Sequence, residues 1–175
     1  MTQQNYYHDF VNTWKILSEL HLQLLDLTSK EYLHLLSNEF EQLESLIIQK
    51  ELIINQINQI DLKKSQLILQ IALETGCSSE ELNTFKSTKK LLYKICNIDE
   101  KNNPEEVLEK YNILLLEIIS KIQIQNKKNR LYLNKALFQL TSLQSELIGK
   151  QKNSTYNHIG EKRNLSKAPM GQGHL

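Results

Sequence analysis

The sequence predicts an all-α protein: an elongated antiparallel helical hairpin or coiled-coil bundle of two long helices, a shorter middle helix and a disordered C-terminal tail. Three observations carry this. Residues 1–103 hold no proline and a single glycine, Gly76, far fewer turn formers than an all-β fold requires. Long stretches place apolar residues at three- and four-residue steps, the spacing of one helix face. With 40% apolar residues, 23% charged and a mean hydropathy of −0.44, the chain suits helices with much surface per core residue. Its 175 residues give room for one domain.

The first stripe is Phe10, Val11, Trp14, Leu17, Leu20, Leu24 and Leu27. Thr28-Ser29-Lys30-Glu31 interrupts it, and Thr28 with Glu31 matches a capping box, in which each side chain satisfies the other's free N–H. The stripe resumes about one residue out of phase at Tyr32, Leu36 and Phe40, so the pattern fits a kink and a true break equally. Trp14 sits on the stripe and reads as a packing residue.

Residues 36–73 form heptads. One seam position holds Leu36, Leu43, Lys50, Ile57, Lys64 and Ile71, and the other Leu46, Ile53, Ile60 and Leu67. Ile47, Ile54 and Ile68 widen the stripe beyond a two-stranded seam, which favours a hairpin or bundle. Lys50 and Lys64 can bury their stems and send their ammonium groups outward, a structural role. Gly76 ends this helix as a left-handed C-cap. Ser78 and Glu81 match a second capping box, and a shorter helix follows with Leu82, Phe85, Leu92 and Ile95 or Cys96 inward.

The last long helix starts at Asn103-Pro104-Glu105-Glu106: a cap, a proline where no N–H is needed, and carboxylates at the positive end of the dipole. It buries Leu108, Tyr111, Leu115, Ile118 and Ile122, then carries Asn126 and Asn129, then Leu133, Leu137, Leu140, Leu143 and Leu147. Gly149 closes it. Beyond about residue 152 apolar residues are too sparse to offset ordering entropy. The chain therefore divides into a helical domain, 1–150, and a flexible basic tail, 151–175.

Net charge is +1 overall, but residues 150–175 carry Lys150, Lys152, Lys162, Arg163 and Lys167 against Glu161 alone. That modest charge favours an acidic protein surface and, with few aromatics, argues against nucleic acid. Cys77 and Cys96 form no metal-binding spacing. The N-terminus lacks the basic and apolar regions of a signal peptide, and no apolar run reaches the roughly 18 residues of a membrane span. The expectation is a cytoplasmic protein with free thiols, no membrane insertion, no metal and no cofactor. His8, His21, His34, His158 and His174 never fall three or four residues apart, and no phosphate loop or nucleophile motif is present. An enzyme is not expected.

Two features invite a functional reading. Asn126 and Asn129 interrupt an apolar stripe, either fixing helix register or hydrogen-bonding a partner in a groove. Tyr156 is an aromatic in a polar tail with no core to join, and offers contact area plus a hydroxyl.

The leucine- and glutamate-rich stretch from Glu39-Phe40-Glu41-Gln42-Leu43-Glu44 to Gln49-Lys50-Glu51-Leu52-Ile53, the segment Asn126-Lys127-Lys128-Asn129-Arg130-Leu131, and the tail Thr155-Tyr156-Asn157-His158-Ile159-Gly160 together resemble the FlgN family of flagellar type III export chaperones. The second piece is similar to the family's Asn-x-x-Asn segment and the third to its Tyr-x-x-x-Gly tail. The resemblance implies a cytoplasmic chaperone that binds the C-terminal segments of the hook–filament junction proteins FlgK and FlgL, prevents early assembly and delivers them to the export gate. It further implies that Asn126, Asn129, Leu133, Leu137 and Leu140 contribute to the substrate surface. Tyr156 and Gly160 are implied in docking on the cytoplasmic domain of the gate protein FlhA. The rival reading is a structural coiled-coil scaffold, including a homodimer that buries the 36–73 seam against its copy.

Overall fold

In a computed structural model, four helices form in chain order: α1 (Gln3–Ser37), α2 (Phe40–Thr75), α3 (Phe85–Ile95) and α4 (Val107–Lys152). A two-stranded ladder, β1 (Ser154–Tyr156) and β2 (Lys162–Asn164), follows. The structure describes residues 3–77, 82, 84–98, 107–152, 154–156 and 162–164. The chain divides into two compact units, Met1–Arg130 and Leu131–Leu175, with the boundary inside α4.

The protein is all-α in its body, as its patterning requires, but with three long helices. The first segment is a single unbroken α1 of 35 residues. Thr28 is not a cap: its hydroxyl donates to the Leu24 carbonyl at 2.7 Å, and Glu31 instead pairs with Lys50 across the helices. The break falls ten residues later. Asn38 takes a left-handed φ of 59°, and the Glu39 N–H bonds back to the His34 carbonyl at 3.1 Å, closing a Schellman turn. Asparagine tolerates that conformation better than most residues. The His34 ring reinforces it with a 2.7 Å contact to the Glu39 carboxylate. Leu36 consequently belongs to α1 and is exposed, so the α2 seam begins only at Leu43.

From there the seam holds. Leu46, Ile57 and Ile71 are buried, with Ile53, Ile60 and Leu67 packed against the core. The two helices run antiparallel, as three cross-helix pairs show: Tyr6 with Glu74, Trp14 with Lys64, and Glu31 with Lys50. Lys50 and Glu31 are both largely covered, so their pairing also keeps two charges from being stranded. Lys64 pairs with Asp61 and lies 5.7 Å from the centre of the Trp14 ring. Both seam lysines thus have the structural role their spacing suggests. Gly76 ends α2 in the left-handed conformation, φ 68°.

α3 begins later than expected. Thr84 is its N-cap, its hydroxyl oxygen accepting from the Ser87 N–H at 3.1 Å, while Ser78 and Glu81 lie outside the described residues. Leu82 is buried just ahead of the cap, and Asn97 repeats the left-handed turn of Asn38. Asn103 to Glu106 also lie outside the described residues. α4 buries Leu108, Leu115, Ile118 and Ile122 as the pattern requires. It runs parallel to α1: Asn112 accepts from the Trp14 indole at 3.3 Å, and Asn129 reaches Thr28. It also passes through Gly149, the expected stop, to Lys152; an interior glycine costs about 1 kcal/mol but does not forbid a helix.

In the second unit the tail holds a local feature that composition does not anticipate. Ser154, Thr155 and Tyr156 pair antiparallel with Asn164, Arg163 and Lys162. Threonine and tyrosine favour strands, and an isolated two-stranded ladder is marginally stable.

Two side-chain locks generate predictions. The Tyr6 hydroxyl donates to the Glu74 carboxylate; that bond, burial and the nearby negative charge push the phenol up from its ordinary value near 10 to about 12. The stabilisation from the neutral phenol is therefore complete below about pH 10 and is lost as pH rises toward 12. Tyr6→Phe should cost about 1 kcal/mol at neutral pH and flatten the alkaline loss of stability, read from urea midpoints across that range. Asn129, only 3% exposed, donates to the Thr28 carbonyl at 3.0 Å. Asn129→Ala should lower unfolding free energy by about 1–2 kcal/mol, whereas Asn126→Ala should stay within about 0.5 kcal/mol. Urea titration followed by circular dichroism distinguishes the two.

Candidate functional site

The two asparagines of the last helix have opposite environments. Asn126 is exposed and so does not lie on the buried stripe where periodicity places it. Asn129 does lie there. Its amide nitrogen is held by Thr28, and its carbonyl oxygen accepts from the Gln125 amide at 3.0 Å. The register reading describes Asn129: both ends of its amide are occupied inside the first unit. The structure does not bring Asn126 and Asn129 together on one accessible surface.

Beyond Asn129 the same stripe changes character. In the second unit Leu133, Leu137, Leu140, Leu143 and Leu147 recur at three- and four-residue steps and are 40–67% exposed. Ala136 lies on the same face, and Leu131 and Phe138 add exposed apolar surface on another side. Over residues 131–148 the charged side chains are only Lys135 and Glu146. A helix apolar over this much of its circumference ordinarily has something packed on it.

Tyr156 lies on β1, opposite Lys162 of β2. Gly160 lies outside the described residues. The ladder places the tail's aromatic on an element with fixed register, which the sequence reading did not foresee.

Elsewhere the chemistry is quiet. Neither cysteine forms a disulfide, both are partly buried, and burial pushes the Cys96 thiol up, with a backbone hydrogen bond at Tyr7 acting the other way. A thiol so placed holds its proton and is a poor nucleophile. A cavity of about 460 Å³ between the end of α2 and α3 is lined by Tyr6, Glu74, Cys77 and Lys94 among others. Two of its polar groups, Tyr6 and Glu74, are hydrogen-bonded to each other. Among the described residues no cluster of three His, Cys, Asp or Glu could hold a metal ion, and no helix is long and apolar enough to cross a membrane.

Comparison with known proteins adds one positive finding. The family model described as FlgN protein matches residues 1–164, a span that takes in all four helices and both tail strands. No curated protein and no solved structure matches the chain. A match over nearly the whole length, on an all-helical body with an accessible leucine stripe, assigns the chain: it belongs to the FlgN family, the flagellar export chaperones.

Proposed function

We propose that this chain is a cytoplasmic export chaperone for the hook–filament junction proteins FlgK and FlgL, binding their C-terminal segments on the α4 stripe around Leu133, Leu137 and Leu140. The observation that carries the reading is the exposure of that stripe on a member of a chaperone family. An amphipathic segment that is unfolded before export gains a place to fold when it lays its apolar face on such a helix. Burying one leucine contributes roughly 1.5–3 kcal/mol, and several together outweigh the ordering of the bound segment by a modest margin. Modest affinity suits a cargo that must be released. Covering the stripe also keeps the cargo's own assembly surface from pairing early.

Asn129 enters this reading as a positioning residue. Its bond to the Thr28 carbonyl fixes α4 against α1 within the first unit. Asn126, exposed one turn earlier, is free to hydrogen-bond the end of a bound segment. The tail, from about residue 151, serves as the tether to the gate, with Tyr156 and Gly160 docking on the cytoplasmic domain of FlhA. Its four basic side chains, Lys152, Lys162, Arg163 and Lys167, draw it toward acidic surface over a range of about 10 Å at ordinary salt. A tether joined to the body raises the effective concentration of the gate while the body holds cargo.

A scaffold dimer joined through the α2 seam has no open interface. The 43–71 seam of α2 is covered by α1 of the same chain and is not available to a copy.

The division of labour is testable. Leu137→Asp with Leu140→Asp should abolish capture of junction-protein C-terminal peptides, measured by calorimetry, while leaving the melting temperature within a few degrees. Tyr156→Ala should leave peptide binding intact and weaken pull-down of the FlhA cytoplasmic domain several-fold. Equal loss of both activities in either variant would sink the proposal.

A further inference from the structure

α3 buries Thr88, Leu92 and Tyr93, and the rest of its length carries four lysines and no carboxylate. Lys89 is turned toward Glu109 and the Tyr93 ring. The other three, Lys86, Lys90 and Lys94, recur at four-residue steps along one side of the helix and are exposed. Among the described residues no carboxylate pairs with them. Such a stripe opposes helix stability. Like charges four residues apart repel, and Lys86 stands in the first turn, where the dipole favours an acid and α3 has none.

Beside the stripe lies a trough. The cavity of about 460 Å³ at the end of α2 shares Cys77, Leu91 and Lys94 with a second, of about 250 Å³, that reaches Leu82, Ser87 and Lys90. Together they follow α3 from Ser87 to Asn97, about 15 Å of helical rise. Ile71, Leu82, Leu91 and Ile95 supply apolar walls. Among the described residues the one carboxylate lining the trough is Glu74, which accepts from Tyr6.

We propose that this trough docks an acidic amphipathic helix of another protein, its apolar side chains against Leu82 and Leu91 and its carboxylates against Lys86, Lys90 and Lys94. Charge complementarity selects the acid. The four-residue step selects the helix, because carboxylates at i, i+4 and i+8 of a helix lying alongside meet all three ammonium groups at once. A trough of this length takes two to three helical turns. The apolar atoms are recessed: Leu82 is 4% exposed and Leu91 half-buried, below lysines that are exposed. An inserted side chain reaches them, whereas a flat lipid surface meets the lysines first. Glu74 inside the trough repels a phosphate backbone and so disfavours nucleic acid. α3 and the α4 stripe belong to different units, so this site stands whatever the stripe and the tail bind.

The experiment is fluorescence anisotropy of the full-length chain with a labelled peptide of about fifteen residues, helical in solution, carrying glutamate at every fourth position beside a stripe of leucines. The wild type should bind it, and more weakly as salt rises. Lys90→Glu with Lys94→Glu should weaken binding at least about tenfold with far-UV circular dichroism unchanged, and should instead bind the same peptide with lysine in place of glutamate. Lys162→Ala with Arg163→Ala, in the basic tail, should leave the affinity unchanged. A wild type that binds the glutamate peptide no better than the lysine peptide overturns the proposal, as does a charge-reversed variant that still binds the glutamate peptide or an equal loss in the tail variant. Binding to phosphatidylglycerol vesicles that is lost on the same charge reversal also overturns it, since the lysines would then serve a membrane surface.

Discussion

Trp14 is the point on which the helical body depends. It stacks on Phe10 of its own helix with ring centres 5.4 Å apart, meets Phe85 of α3 at 5.5 Å, lies under Lys64 of α2 and donates its N–H to Asn112 of α4. One side chain thus contacts every other helix. An indole can do this because it combines a large apolar face, a π-surface that attracts cations and a single directional donor. α1 is therefore the central helix, with α2 and α4 on different faces, and α3 closes the end where α2 finishes. The Lys89–Glu109 ion pair at 2.9 Å and the Tyr7–Tyr93 edge contact join α3 to α4 and α1.

A central helix must let two neighbours approach, and α1 does so with small polar residues. Ser18 and Thr28 are 2% and 0% exposed. Each directs its hydroxyl back to the carbonyl four residues earlier, Trp14 and Leu24 respectively, so neither leaves a buried donor unmatched. The Thr28 carbonyl then accepts from Asn129, using its second lone pair. Thr28 misled the reading of the chain for this reason. In sequence, a threonine three residues before a glutamate is an N-cap; in space, the same hydroxyl is satisfied inside an unbroken helix. The choice depends on α4, which arrives a hundred residues later and which no local pattern contains.

The turn at Asn38 shows the converse. The heptad run appears continuous from Leu36, because the last leucines of α1 and the first of α2 happen to keep a three- and four-residue rhythm across the bend. Only the left-handed asparagine marks the reversal, and asparagine is a weaker signal than the glycine that correctly marked the end of α2. Legible in the sequence were the all-α class, the α2 seam, both structural lysines and the α4 face through Ile122. Those elements are encoded by period and by residue type alone. Which asparagine would be buried was not legible, since Asn126 and Asn129 lie on adjacent parts of one face and the difference is made by the position of Thr28.

The leucine stripes themselves pose the harder problem, because period reports that a face is apolar and not what covers it. Leu115 and Leu140 occupy equivalent phases of α4, yet one is buried and the other 62% exposed. Period is a property of one helix, whereas burial needs a second element, and Leu115 has one in the core built around α1. The same spacing therefore yields core in one unit and apolar surface in the other.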